Sequence, residues 1–193
     1  MSHHVLSLSD ISEFRDTQFK LRHQAMHGAL TGLGNSLHLQ EALLARTATS
    51  QSTPFGLLFI DLDGFKTIND TLGHDQGDEL LVTIARRLES MLRREDFSAW
   101  LGGDEFVVLM HDPQDAGNAM SLARKLLASI SLPMALGSQN VSLTASFGIA
   151  LYPEHASGTH GLLKAADAAM YEAKARGRNR AAVLDQALGD GAA

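Results

Sequence analysis

The chain has 193 residues, 45% hydrophobic and 20% charged, with 16 Lys and Arg against 22 Asp and Glu, a net charge of −6 and no cysteine. This describes a globular domain with a real core and room for an extra element, and it excludes a disulfide framework or a cysteine-based metal centre. No apolar run approaches the ~18 residues of a membrane span, the first residues lack the pattern of a signal peptide, and the acidic balance argues against non-specific binding to nucleic-acid backbones, so the expected compartment is the cytosol.

In chain order, "HHVLSLSD" alternates like a strand, and "ISEFRDTQFKLRHQAMHGAL" has the apolar spacing of a helix. Ser9 or Asp10 stands where a cap is expected. "TGLGN" breaks that helix with two glycines, and "SLHLQEALLARTA" predicts a second one. "FGLLFIDL" is a short apolar run suited to a buried strand, and "GDELLVTIARRLESMLRRE" a strongly amphipathic helix. Two strands, Phe97–Leu101 and Glu105–His111, follow with little between them. "QDAGNAMSLARKLLASI" predicts a helix, "VSLTASFGIALYP" a strand ended by Pro153, "GLLKAADAAMYEAKARGRNR" a helix ended by Gly177, and "AAVLD" a last strand. Strands alternate with helices, yet one strand pair is a tight hairpin. That mixture favours an α+β sheet flanked by helices over a doubly wound parallel sheet.

Two stretches carry chemistry. In "AWLGGDEFVVLM" the adjacent Gly102 and Gly103 read as a two-residue type I′ hairpin turn. Their missing side chains let a ligand approach the backbone. Asp104 and Glu105 then stand at the hairpin tip. In "DLDGFKTINDTLGHDQGD", Asp61 and Asp63 are two apart and share a strand face. A carboxylate at a strand end opposite an acidic hairpin tip is one way to hold Mg²⁺, a hard ion that binds a few carboxylates plus substrate phosphates. Ending a strand and opening a turn is the alternative reading of the same pair.

Gly102–Phe106, Gly-Gly-Asp-Glu-Phe, matches the signature of the GGDEF family of diguanylate cyclases. The wider frame resembles the family too: "LTGLGN", "DLDGFKTINDTLGHDQGD", "SFGIALYP" and "ADAAMYEAKARGRNR", together spanning nearly the whole chain. The resemblance implies a nucleotidyl-cyclase or palm-like, ferredoxin-like central sheet with helices around it. It implies a homodimer that condenses two GTP into cyclic di-GMP and two pyrophosphates. It implies Mg²⁺, or Mn²⁺ in its place, on Asp61, Asp104, Glu105 and the backbone carbonyl of Leu62. Asp104 matches the base for the 3′-hydroxyl, and Lys66 is a cation expected to steady phosphate charge. Asn69 and Asp78 match residues that read guanine, with His74 in the same segment. Lys174 and Arg178 match residues that hold the terminal phosphates, and being four apart they are expected on one face of the last helix. Taken alone, Lys174 and Arg178 are an ordinary cationic helix end, and Asn69 and His74 a cap and a turn residue.

Arg93 and Asp96 lie ahead of Gly102 in the register of the family's product-inhibition site. Without that register they read as a solvated i,i+3 ion pair. Three positions depart from the family pattern. Gly28 and Ser36 stand where an acid and an arginine are usual, which suggests a charge pair lost from the turn between them, and Trp100 stands where arginine is frequent. Residues 1–27 resemble the end of an upstream PAS-like sensor followed by a signalling helix; 28–184 form the GGDEF domain; 185–193 are expected to be a disordered tail. The resemblance thus suggests the cytoplasmic part of a longer bacterial signalling protein, with no membrane contact by this segment. A GGDEF module that binds GTP or cyclic di-GMP and regulates an adjacent domain, such as an EAL phosphodiesterase, is the alternative function, and a pure dimerisation module a third.

Overall fold

The computed structural model describes residues 24–48 and 53–184. The strand and helix expected in the first 23 residues, their cap, the PAS-like segment and the tail lie outside the described residues. Twelve elements follow the N-terminal turn: α1 (Ser36–Thr47), β1 (Phe55–Asp63), α2 (Phe65–Leu72), α3 (His74–Met91), β2 (Phe97–Gly102), β3 (Glu105–His111), α4 (Ala116–Ile130), β4 (Met134–Leu136), β5 (Gln139–Val141), β6 (Thr144–Tyr152), α5 (Thr159–Ala175) and β7 (Arg180–Val183).

The main sheet runs β2-β3-β1-β6-β7, and β4 and β5 form a separate hairpin. β1 is central because its residues are apolar on both faces. Leu58, Ile60 and Leu62 enter a layer closed by α2, α3 and α4, with Phe65, Leu80, Ile84, Leu88, Ala123 and Leu126. Phe55, Leu57 and Phe59 enter the opposite layer, closed by α1 and α5 with Leu39, Leu43, Leu162, Ala166 and Met170. β1 pairs antiparallel with β3 and with β6, whereas β6 and β7 are parallel.

Three expectations need correction. The amphipathic helix begins at His74 rather than at Gly77, and "FKTINDTL" is a helix of its own, α2. "VSLTASFGIALYP" is not one strand: it divides between β5 and β6, and β4 was not foreseen. The N-terminal helix does not continue to Leu30: residues 24–26 are helical, and His27 already pairs with Gly34.

α5 lies unusually close to the sheet at Gly148 of β6. A Cβ there would overlap the backbone carbonyl oxygen of Ala166 and the amide nitrogen of Met170. This contact sets the height of α5, and thereby the reach of the residues at its C-terminal end. Gly148→Ala is therefore expected to destabilise the domain by about 3 kcal/mol, the upper end of the usual cost of overpacking, measured by equilibrium urea unfolding. A midpoint equal to the parent's would show that α5 is free to lift.

Candidate active site

The site is built at one end of the sheet. The register of β1 on β3 sets Asp61 opposite Glu105, so their side chains emerge on the same face, the face of α5. The amide of Leu62 donates to the carbonyl oxygen of Asp104 at 3.1 Å, which ties the β2–β3 tip to the end of β1. Asp61, Leu62, Asp104 and Glu105 are thus brought together as the sequence motif implied.

The tip differs from the expected turn. Gly102 pairs with Glu105, and the ladder is irregular between Trp100 and Gly102. The central residues are therefore Gly103 and Asp104, not Gly102 and Gly103. Gly103 has φ +55°, while Asp104 is not among the residues of positive φ. Positive φ at the first central position alone is the pattern of a II′ turn rather than I′. A Cβ on either Gly102 or Gly103 would meet no atom within 4 Å, so the tip is open above its backbone.

Four acids crowd this end, and their fields are unfavourable to one another. Burial holds the Asp61 carboxyl above its ordinary range; the hydrogen bond from Lys174 opposes this, and the charges of Asp104 and Asp63 add to it. Burial also raises Glu105, and the charges of Asp104, Asp61 and Asp167 push it further. The countercharge comes from α5: Lys174 Nζ lies 2.6 Å from Asp61 Oδ2. A low-dielectric position with unbalanced negative charge favours a bound cation. Among the described residues no three acidic or histidine side chains form a ready metal cage, so phosphate oxygens or backbone would have to complete the coordination.

Asp63 is the residue whose task the sequence did not disclose. The strand does not end between the two aspartates; both lie within β1. Asp63 accepts from Thr144 Oγ1 at 2.7 Å, Ser146 Oγ at 2.8 Å and the amide of Asn179 at 3.1 Å. Arg178 Nε stands 3.9 Å away. Arg178 and Asn179 have φ of +60° and +49°, a conformation that favours glycine, and the Asp63 carboxylate holds it in place. Arg178 does not share a helix face with Lys174, because α5 ends at Ala175. It reaches the same end of the sheet from the turn beyond. The signal that would have revealed this is Gly177, which stops the helix between the two cations.

On the other face, Asn69 lies on α2 and Asp78 on α3. Asn69 Oδ1 is buried and has no partner among the described residues. It lies against Gly77, where a Cβ would overlap it. The neighbouring Asp78 is exposed, as are His74 at the start of α3 and Lys66 in the first turn of α2. Lys66 makes no ion pair among the described residues, and nothing in its surroundings ties it to the acids.

Arg93 and Asp96 do not form the expected side-chain pair. Asp96 accepts from the amides of Arg93 at 2.8 Å and His111 at 2.9 Å. Both residues line a polar cavity of about 350 Å³ with Asp112, Gln114, Asn118 and Lys125.

A mixed sheet flanked by helices, with acids on the central strand and on an adjacent hairpin tip, is a palm-like nucleotidyl-cyclase fold. The chain belongs to the GGDEF family: the family profile described as diguanylate cyclase, GGDEF domain, matches residues 25–180. Diguanylate cyclase TpbB of Pseudomonas aeruginosa is 43% identical over 179 residues, which are 90% of this chain and 41% of that protein; the chain thus spans about two fifths of that relative. A structure comprising only the GGDEF domain of TpbB superposes with a TM-score of 0.78 at 41% identity, covering 82% of this chain and 94% of that one. The coiled coil and GGDEF domain of DgcB from Caulobacter crescentus, in complex with c-di-GMP, gives a TM-score of 0.82 at 26% identity and covers 91% of this chain and 94% of that one. Cyclic di-GMP phosphodiesterase NbdA of P. aeruginosa is 39% identical over 170 residues, 87% of this chain and 22% of that protein.

Because Glu105 binds its proton more tightly in the folded chain than in the unfolded one, its contribution favours folding at low pH and is lost as pH rises through its raised value. In metal-free buffer Glu105→Gln should therefore melt higher than the parent at pH 7–8. The gap should close below about pH 4, where a carboxyl is protonated in both states. Calorimetry across this range checks it; a variant that melts lower than the parent at pH 8 would show that charged Glu105 is stabilising.

Proposed function

We propose that this chain is a diguanylate cyclase domain, condensing two GTP into cyclic di-GMP with release of two pyrophosphates. The observation that carries this reading is the register of β1 on β3, which gathers Asp61, Leu62, Asp104 and Glu105 at one sheet end, facing Lys174. The 3′-hydroxyl oxygen of one nucleotide attacks the α-phosphorus of the other. A phosphodiester bond forms, the bond to pyrophosphate breaks, and Asp104 takes the hydroxyl proton. The same step in the opposite sense closes the ring. Each domain holds one GTP, and two copies face each other about a twofold axis, matching the symmetry of the product. Since GTP is a cytosolic nucleotide, the reading places the domain in the cytoplasm.

Lys174 and Arg178 hold the terminal phosphates and offset charge on the departing pyrophosphate. Lys66 is a further cation near the same strand end. Mg²⁺, or Mn²⁺ in its place, fits the carboxylates of Asp61, Asp104 and Glu105 with the carbonyl of Leu62, and supplies Lewis acidity at the phosphates. Asn69 and Asp78 read the guanine: the buried Asn69 Oδ1 lacks a donor among the described residues, and an Asp accepts from N1–H and the 2-amino group. His74 borders this base site. Cyclic di-GMP in the cavity of Arg93 and Asp96 gives product inhibition. The resemblance to NbdA supports a second reading, a module that binds GTP and regulates a neighbouring domain.

Incubation with GTP and Mg²⁺ followed by nucleotide chromatography separates the two. The cyclase forms cyclic di-GMP, and Asp104→Asn lowers its rate at least about a hundredfold, the usual scale for loss of a proton acceptor. GTP binding without product supports the regulatory module instead.

Gly77→Ala tests the base site. Alanine is favoured over glycine in a helix by about 1 kcal/mol, so the fold should not suffer. Displacement of Asn69 should raise KM for GTP about tenfold, equivalent to ~1.4 kcal/mol or one hydrogen bond. An unchanged KM would remove Asn69 from nucleotide recognition.

A further inference from the structure

The N-terminal turn is fastened to β2, the edge strand of the main sheet. His27 pairs with Gly34, and Gly34 in turn with Ala99. The amide of Gly34 donates to the carbonyl of Ser98 at 3.1 Å, and the amide of Trp100 to the carbonyl of Gly34 at 2.8 Å. Asn35 caps α1 and donates through Nδ2 to the carbonyl of Ala25 at 2.8 Å. The chain therefore joins the domain as an added rung on β2.

Trp100 extends from this rung in two directions. The six-membered ring of its indole lies over Gly28: a Cβ on Gly28 would stand 3.2 Å from Cε3 and 3.8 Å from Cζ3. The five-membered ring points to the hairpin tip, where Nε1–H donates to the carbonyl oxygen of Gly103 at 3.1 Å. That oxygen belongs to the peptide unit that also contains the nitrogen and Cα of Asp104. A peptide unit is planar, so fixing its oxygen restricts where Asp104 begins. The next peptide unit is held through its own oxygen by the amide of Leu62. Asp104 is thus clamped on both sides, once by the end of β1 and once by Trp100. The clamp matters because Gly102 and Gly103 have no side chains to restrain the tip, and glycine is the most mobile of backbones.

We propose that Trp100 is a positioning residue that couples the N-terminal turn to Asp104: its indole rests on Gly28 and orients the Gly103–Asp104 peptide. A shift of the turn moves the indole, and the indole moves the tip. The proposal rests on the reading that Asp104 acts in GTP condensation, and it deepens that reading by giving signals from upstream a physical route to the tip.

Three substitutions divide the two halves of the indole. Trp100→Phe keeps a ring against Gly28 and removes the donor. Trp100→His keeps a ring N–H at the equivalent place and removes the ring over Gly28. Gly28→Ala leaves Trp100 in place but pushes it by a few tenths of an ångström. Trp100→Phe should lower kcat by roughly ten- to a hundredfold, the scale for small misplacement of a reacting group, with KM for GTP within about twofold of the parent. Trp100→His should restore most of the rate. Gly28→Ala should lower kcat in the parent and have no further effect beside Trp100→Phe, since coupled sites are not additive.

Hydrogen exchange of the Leu62 amide, which reports the bond to Asp104, needs no turnover. It should quicken in Trp100→Phe and in Gly28→Ala, while the amides of the β1–β3 ladder at Phe106 and Val108 keep their protection. An inactive parent would sink the cyclase reading, and the exchange data would still decide the coupling. An active parent with unchanged kcat in Trp100→Phe, or additive effects of Gly28→Ala and Trp100→Phe, would overturn the coupling alone. So would equal loss of protection at Leu62, Phe106 and Val108, which marks a general loosening.

Discussion

Everything at the site depends on the register of β1 between β3 and β6. Side chains alternate across a strand, so a slip of one residue would turn Asp61 into the layer of α2, α3 and α4 and bring Leu62 out. The register is fixed by the apolar sets on either side of the strand. Leu58, Ile60 and Leu62 are committed to one layer, and Phe55, Leu57 and Phe59 to the other. The acids occupy positions that this packing dictates. The carboxylates therefore meet without any attraction between them, and against their mutual repulsion.

That repulsion sets what the surrounding elements must do. α5 is drawn onto the sheet at Gly148, low enough for Lys174 to reach Asp61. The next acid, Asp63, is used differently. It is satisfied by two hydroxyls and an amide, and it holds a left-handed turn in which Arg178 and Asn179 stand where glycine would be easier. One aspartate of the pair is left to respond to a cation, and the other is consumed in building a support. The two roles are told apart by their partners, not by their place in the motif.

The opposite face carries a polar group left unsatisfied. Asn69 Oδ1 is buried against Gly77 without a donor among the described residues. Such an atom costs stability, on the order of 1–3 kcal/mol, and is retained where a ligand supplies the missing partner. Strain gathers at the cavity of Arg93 and Asp96 as well, where Asp112 and Gln114 have φ of +40° and +63°. Backbone of that kind persists where the surroundings over-determine it, commonly at ligand sites. The cost is spread over two faces and one edge of the sheet, while the apolar layers between them stay well packed.

The sequence by itself determined the fold class, the place of the main strands along the chain, the hairpin and the acids at its tip. Those features depend on local periodicity and on motifs whose residues are adjacent in the chain, and local chemistry is legible in a string. It did not disclose α2, because eight residues between two glycines carry too short a period. It misplaced the turn by one residue, because Gly-Gly permits two turn types and only the irregular ladder at Trp100 chooses between them. It set Lys174 and Arg178 on one helix face by their spacing of four, although Gly177 stands between them as a helix stop. It read Arg93 and Asp96 as a pair, whereas the carboxylate is taken by backbone amides, one of them 15 residues away. The task of Asp63 and the meeting of Trp100 with Gly28 were decided by tertiary structure alone. Each depends on distance between segments remote in the chain, 81 to 116 residues apart for the partners of Asp63, and no local pattern encodes such a distance until the sheet has closed.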